Sequence, residues 1–337
     1  MPVQEARYVP PMGRDGTVGV GVIGRGFGQT VVAPVFDETE GCTLVDVISP
    51  RDDAAVRAFC ARPHIDVVAV HAPPFLHQRC VTAALDAGKA VLCDKPFGTS
   101  AADAEAMEAA ARDAGAVALL NFEFRHHPGR IALRSLLRDG AIGTVEHVQW
   151  TVFGAGFRVP LRPYGWLFDR ERGGGWIGAW GSHVIDFLRW TFGDLVEASA
   201  RLRTDITERP DAAGAVHQCT AEDGFTALLS TDTGVSVTID TTFVAVKNSP
   251  PRVVVLGSDG TLESVADGRI TLRDAEGTRE VFTFDPPRED PHLVPMRAWA
   301  AVVRDAVRSG EVPDGEPTFA DGVACARVMD ALRGVRT

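Results

Sequence analysis

Short apolar, β-branched runs alternate with helical stretches along the first third of the chain. Residues 17–23, 43–49, 65–72, 90–94 and 116–122 read as buried strands, and 27–38, 52–62, 75–87 and 100–114 as the helices between them. Ser100 with Asp103 three residues on has the form of an N-terminal capping box. Continuous apolar strands separated by helices imply a parallel sheet covered on both faces, wound by right-handed crossovers. The pattern changes after Phe124. Residues 131–139 are helical, and 145–153 alternate like a half-exposed strand. A loop rich in glycine, arginine and aromatics leads into a helix at 183–191. Strands broken by turn signals such as Thr233-Gly234 and Asp259-Gly260 fill 196–284, a pattern of antiparallel sheet with one buried face. Helices at 291–309 and 318–332 close the chain.

This is an α/β organisation: a Rossmann-type doubly wound parallel sheet, then an α+β domain on a large open, mainly antiparallel sheet. The expected domains are 17–124 and 125–337, with the last helices packing back, and 337 residues suit two domains. Residues 1–16 read as a loose tail without the apolar stretch of a signal peptide. A net charge of −11 argues against binding nucleic acid or an anionic membrane, and no apolar run approaches a membrane span. The six cysteines are scattered without a C-x-x-C pair, which predicts neither a metal site nor a disulfide framework and fits the cytoplasm.

Gly19, Gly21 and Gly24 match G-x-G-x-x-G literally, yet Gly19 and Gly21 fall inside the first strand. The turn belongs where that strand ends, at Gly24-Arg25-Gly26-Phe27-Gly28, with Gln29 at the third position of the strict motif. Gly24 allows the tight turn and Gly26 a close approach of backbone to a pyrophosphate, at the head of a helix. Between a first strand and first helix, this predicts a dinucleotide site. The tip of the second strand, Ile48-Ser49-Pro50-Arg51, offers no carboxylate for a ribose and places an arginine nearby. That favours NADP over NAD, although Asp52 and Asp53 follow.

Taken in order, five segments resemble the glucose–fructose oxidoreductase/inositol dehydrogenase (Gfo/Idh/MocA) family. They are the glycine turn, Pro73-Pro74-Phe75-Leu76-His77, Asp94-Lys95-Pro96, Glu123-Phe124-Arg125, and Gly173-Gly174-Gly175 leading to Gly181-Ser182-His183-Val184-Ile185-Asp186. The likeness runs from about Val18 to Leu332. It implies hydride transfer between nicotinamide and a secondary alcohol or ketone of a sugar, polyol or related ring. It implies catalysis by Lys95, in the place of the family's Glu-Lys-Pro motif, with His183. Its cofactor side would comprise Gly24, Arg25, Gly26, Phe27, Gly28, Ser49, Arg51, Ala72, Pro73, His77, Asp94 and Lys95. Arg125, Trp166, His183 and Asp186 would face substrate, and the chain would form a dimer or tetramer through its open sheet. Lysine suits proton transfer because burial can draw its pKa towards neutrality.

Two departures from the family pattern stand out. The aspartate usually found four residues before the histidine is Ala179 here, so Lys95 would work with His183 alone or with another carboxylate such as Asp186, which could equally serve Arg189. Between Ser49 and Ile65 there is room for one helix only, so a strand–helix unit is missing and the second strand becomes a sheet edge. Both departures keep alternatives open: a dinucleotide-binding sensor without catalysis, or a lyase or glycosidase that reduces and reoxidises bound NAD. Arg158, Arg162, Arg170, Arg172, Tyr164, Trp166 and Trp176 crowd one loop. They would frame an anionic or sugar-like substrate, or serve as subunit contact or solvated surface. Lys247 and Asn248 are further candidates.

Overall fold

The computed structural model describes residues 16–335, so the expected tail, Gly16 apart, lies outside them. Two units are formed: residues up to 123 with 292–326, and 124–291 with the residues from 327 on.

The first unit opens with β1 (Val18–Ile23), a wide helical turn at Gly28–Val32 and α1 (Ala33–Glu38). Next come β2 (Cys42–Ile48), α2 (Asp53–Cys60), β3 (Val67–Val70), α3 (His77–Asp86), β4 (Ala90–Cys93), α4 (Ala101–Asp113) and β5 (Ala118–Leu120). The five strands pair in parallel in the order β2-β1-β3-β4-β5. Asp52 caps α2 by accepting from the Ala54 and Ala55 N–H groups, and Ser100 caps α4 through the Asp103 N–H. β1, β3 and β4 are buried throughout, which is why their sequences are unbroken apolar runs. β2 is half exposed and forms the edge, the consequence of the missing strand–helix unit. Its Asp46, paired with Arg62 at 2.8 Å, puts a charge on that edge.

The second unit carries α5 (Pro128–Arg138), β6 (Val145–Phe153), α6 (Ser182–Phe192), β7 (Leu195–Arg203), β8 (Glu208–Pro210), β9 (Val216–Gln218) and β10 (Gly224–Thr231). It continues through β11 (Ser236–Thr242), β12 (Ser249–Gly257), β13 (Gly260–Val265), β14 (Arg269–Asp274) and β15 (Gly277–Thr283). Eight strands form one sheet, β15-β14-β13-β12-β6-β11-β10-β7, antiparallel except where β6 meets β11. Alternate residues, among them Val148, Trp150, Phe225, Ala227, Ile239 and Val255, make its buried face. The other face mixes charge and apolar surface, with Arg252 and Arg273 flanking Glu263 and with Leu228 and Leu256 exposed.

The last two helices are α7 (Leu293–Ser309) and α8 (Phe319–Leu332). Residues 292–326, which the sequence placed with the second domain, cluster with the first unit. Met296, Trp299, Ala300, Val303 and Val307 of α7 lie in one apolar core with Val18, Val20, Val22 and Phe36. Each large side chain so buried contributes about 1.5–3 kcal/mol.

Candidate active site

In the first unit the chain leaves β1 for β2 on one side and returns to β3 on the other. The carboxyl ends of β1 and β3 therefore flank the point where strand order reverses, the usual ligand crevice of such sheets. Gly24 closes the turn there: its N–H donates to Ile48 O at 2.9 Å. Its φ is +143°, and a Cβ would lie 2.2 Å from the His71 carbonyl oxygen, so only glycine fits. Gly26 is exposed with open space where a Cβ would stand. Gly28 lies so close to His71 and Val22 that a Cβ would come within 3.0 Å of each. Turn, open approach and close helix–strand packing are the three glycine roles of a dinucleotide loop. The packing role falls on Gly28, one residue before the strict motif's third position at Gln29. Gly19 and Gly21 instead make room for His64, Phe59 and Ile65. These residues fit a pyrophosphate-bearing cofactor.

At the β2 tip the nearby carboxylates are engaged. Asp46 holds Arg62, Asp52 caps α2, and Asp53 pairs with Arg79 at 2.7 Å. Ser49 is half-buried, and Arg25 and Arg51 are exposed. Arg25 adds through space to the charges that hold the Asp46 carboxyl below its usual range, after the hydrogen bond from Arg62.

Beyond β3, Ala72 is buried and its carbonyl accepts from His77 Nε2 at 2.6 Å. Pro73 begins the short turn into α3. Burial pushes His77 down to about 4, so its ring is neutral at pH 7. Beyond β4, the Asp94 N–H donates to Val70 O, and the Lys95–Pro96 bond is cis. Asp94 Oδ1 accepts from the Lys95 N–H at 3.0 Å and from Asn121 Nδ2 at 3.2 Å. Burial works against the Asp94 charge, but His71, Lys95 and His77 together hold the carboxyl well below its usual range. Lys95 itself is half-buried. Glu123, fully buried, binds His292 Nδ1 at 2.6 Å, and the His292 ring stands edge-on to Phe27 of the glycine turn at 4.9 Å.

In the second unit His183 is buried at the head of α6, its ring edge-on to Phe124 at 4.7 Å. One turn on, Asp186 holds Arg125 through Nε at 2.9 Å and Nη2 at 2.5 Å. Arg189 goes to Asp194 at 2.6 Å. The Glu123-Phe124-Arg125 segment thus contributes both the ring beside His183 and the guanidinium that fixes its helix.

Residues 18–122 match the NAD-binding Rossmann fold of an oxidoreductase family, and residues 131–263 match the GFO/IDH/MocA C-terminal domain. The chain belongs to the Gfo/Idh/MocA family. It is 32% identical over 293 residues to D-apiose dehydrogenase of Paraburkholderia graminis, covering 82% of this chain and 72% of that one. It is 31% identical over 159 residues to levoglucosan dehydrogenase of Pseudarthrobacter phenanthrenivorans, covering 47% and 41%. Among solved structures, levoglucosan dehydrogenase with NADH and L-sorbose superposes with a TM-score of 0.83 at 21% identity, over 95% of this chain and 96% of that one. An oxidoreductase domain protein from Kribbella flavida gives 0.81 at 25% identity, over 95% and 96%. The chain is therefore an oxidoreductase with an NAD-binding Rossmann domain, akin to sugar dehydrogenases.

Within this family member, Ala179 packs against an aromatic cluster of Phe157, Tyr164, Trp166, Phe168, Trp176 and Phe243. The neighbouring loop spends much of its polar chemistry internally. Arg158 donates to Val244 O, Arg162 lies over Phe157, and Arg170 donates to Arg333 O. Tyr164 stacks on His217 at 4.5 Å. Lys247 and Asn248 are exposed, and Asn248 Oδ1 accepts from the Ala155 N–H. Arg125 and Asp186, expected at the substrate, are buried and committed to each other. No group of His, Cys, Asp and Glu among the described residues could hold a metal ion. No described helix is long and apolar enough to cross a membrane.

Sequence reasoning missed three residues near the turn. His71 and Asn121 lie inside apolar strand runs, where a single polar residue reads as a satisfied core position. His292 is 169 residues from its partner Glu123, a pairing no local pattern reveals. The available signal was the presence of a titratable or amide side chain within a buried strand segment.

Proposed function

We propose that this protein is an NADP-preferring dehydrogenase or reductase acting on a secondary alcohol or ketone of a sugar or polyol, with Lys95 moving the hydroxyl proton. The observation that carries this reading lies in the first unit. The glycine turn and the Asp94-Lys95 segment stand at the same carboxyl end of one parallel sheet. When bound, the nicotinamide supplies or accepts the hydride. The chain's own residues bind, orient and move the proton, a general acid–base contribution of about 10²–10⁴-fold. Gly24, Gly26 and Gly28, with Arg25 and Phe27 between them, would hold the pyrophosphate. Ala72, Pro73 and His77 would wall the site beyond β3. His183 would assist Lys95, and the apolar surroundings of Ala179 and Trp166 suit a ring with an apolar face.

The preference for NADP rests on the β2 tip. With Asp46, Asp52 and Asp53 engaged, Arg25 and Arg51 are the charges left beside Ser49, and a 2′-phosphate is what they would bind. The outer face of the eight-stranded sheet, where Leu228 is 60% exposed, would join copies of the chain into a dimer or tetramer, and a cytoplasmic location goes with this reading.

The test is a fluorescence titration with NADPH and NADH, followed by turnover on sugars and polyols that include D-apiose and levoglucosan. NADPH should bind more tightly, Arg51→Ala should weaken NADPH about tenfold while sparing NADH, and Lys95→Ala should bind nucleotide yet fail to turn over. Equal loss for both nucleotides in Arg51→Ala would refute the NADP assignment. Unchanged kcat in Lys95→Ala would remove Lys95 from catalysis.

A further inference from the structure

His71 follows β3 directly, its N–H donating to Ile23 O at 2.8 Å. Its side chain is fully buried. It is wedged beneath the glycine turn: a Cβ on Gly28 would meet His71 Cβ at 3.0 Å, and the Phe27 ring stands 5.8 Å from the imidazole. On its other side Nδ1 lies 3.3 Å from Asp94 Oδ2, close to but off the line of a hydrogen bond. Neither Nδ1 nor Nε2 has an aligned hydrogen-bond partner among the described residues. A buried imidazole with both nitrogens unsatisfied is costly, and it persists where another state of the protein uses it. Active-site hydrogen bonds are often misaligned without substrate and tighten on loading.

The same carboxylate is what fixes Lys95. Asp94 Oδ1 holds the Lys95 N–H and Asn121 Nδ2, so the orientation of the Asp94 plane sets the backbone from which Lys95 projects. Among the described residues no aligned donor fixes Oδ2, and His71 faces it. The buried His77 is nearby but spends Nε2 on the Ala72 carbonyl.

We propose that His71 is a positioning residue that couples the nucleotide loop to Lys95: its Nδ1–H swings onto Asp94 Oδ2 when a dinucleotide seats on the glycine turn, locking the carboxylate that holds Lys95. This rests on the reading of Lys95 as the proton carrier. It assigns to His71 a role that neither touches the reacting atoms nor merely fills the core. Asparagine keeps an N–H donor where Nδ1 stands but carries no charge, so His71→Asn separates hydrogen bonding from packing and from charge.

The experiment has two readouts on the full chain. In the first, histidine-ring ¹⁵N spectra are recorded without substrate, before and after adding NADP⁺, with the His71 signals identified by their loss in His71→Asn. NADP⁺ should move His71 to the Nδ1-protonated, hydrogen-bonded form, and Asp94→Asn should abolish that movement. An unchanged His71 signal on NADP⁺ saturation overturns the proposal. In the second, the panel substrate turned over fastest is used. His71→Ala should lower kcat about 10–100-fold with KM for the alcohol within about twofold, and His71→Asn should recover most of it. Wild-type kcat in His71→Ala overturns the proposal, as does a His71→Asn variant equally impaired while melting like wild type. Lys95→Ala run in parallel separates the two claims. If it keeps its kcat, the Lys95 reading fails; if it is inactive while His71→Ala is normal, only the coupling fails.

Discussion

Replacing Arg125 by alanine tests how the second unit holds the helix that carries His183. The Arg125 and Asp186 side chains are 5% and 4% exposed and share a two-pronged contact. The perturbation strands a buried carboxylate in a cavity shaped for a guanidinium, where removing one partner of a buried pair costs about 3–5 kcal/mol. For a domain of this size each kcal/mol lowers Tm by about 2–4 °C, so the loss should be roughly 6–20 °C. Five of the six tryptophans, Trp150, Trp166, Trp176, Trp180 and Trp190, belong to this unit, and only Trp299 to the other. Tryptophan fluorescence in a thermal melt therefore reports mainly on the unit being perturbed. The paired replacement Arg125→Met with Asp186→Leu removes both charges together and should cost far less than the sum of the single changes. A drop below about 2 °C in Arg125→Ala, or a double variant as unstable as the sum, would refute the view that burial makes this pair an obligate unit.

Two further outcomes follow from the first unit. Gly24→Ala should cost about 1–3 kcal/mol in backbone strain alone, before the clash with the His71 carbonyl. NADPH titration should show affinity down at least about tenfold, and wild-type binding would contradict the turn geometry. His77, ordinarily near 6.5, titrates at about 4 in the fold. Its folded value is the depressed one, so the unfolded chain binds the proton first and stability falls as pH drops from 6.5 through 4, by about 3 kcal/mol in all. His77→Gln should lack that share of the acid loss in melts taken between pH 7 and pH 4, and a wild-type slope in the variant would rule it out.

The parallel sheet was legible because β1, β3 and β4 are buried on both faces, leaving their sequences nothing but apolar choices. The shortened stretch before Ile65 gave away the edge position of β2, since chain length limits what can be threaded there. The turn was placed correctly at Gly24 because a strand ends where its apolar run ends. That Gly28 would take the packing role of the third glycine was not legible, because it depends on His71 pressing from another strand. Asp186 was expected to support Lys95 or to serve Arg189, until the fold brought Arg125 to it from 61 residues away. That the last helices pack back was expected, but which surface α7 covers was not legible, because an amphipathic helix announces an apolar face and not its partner.

The first unit is discontinuous in sequence, and this orders events during synthesis. Strands β1 to β5 leave the ribosome with the surface that α7 will cover still bare, and they wait for Trp299 and its neighbours to complete the core. The 168 residues from 124 to 291 are made in the interval, roughly 10–30 s at translation rates of about 5–20 residues per second. The eight-stranded sheet of the second unit is complete by residue 283 and can form in that interval, before Arg333 arrives to join it, while the nucleotide-binding half is a nascent chain with an exposed apolar sheet. Slow codons or chaperone capture in that interval would govern yield, and a circular permutant that begins at residue 292 would shorten the wait.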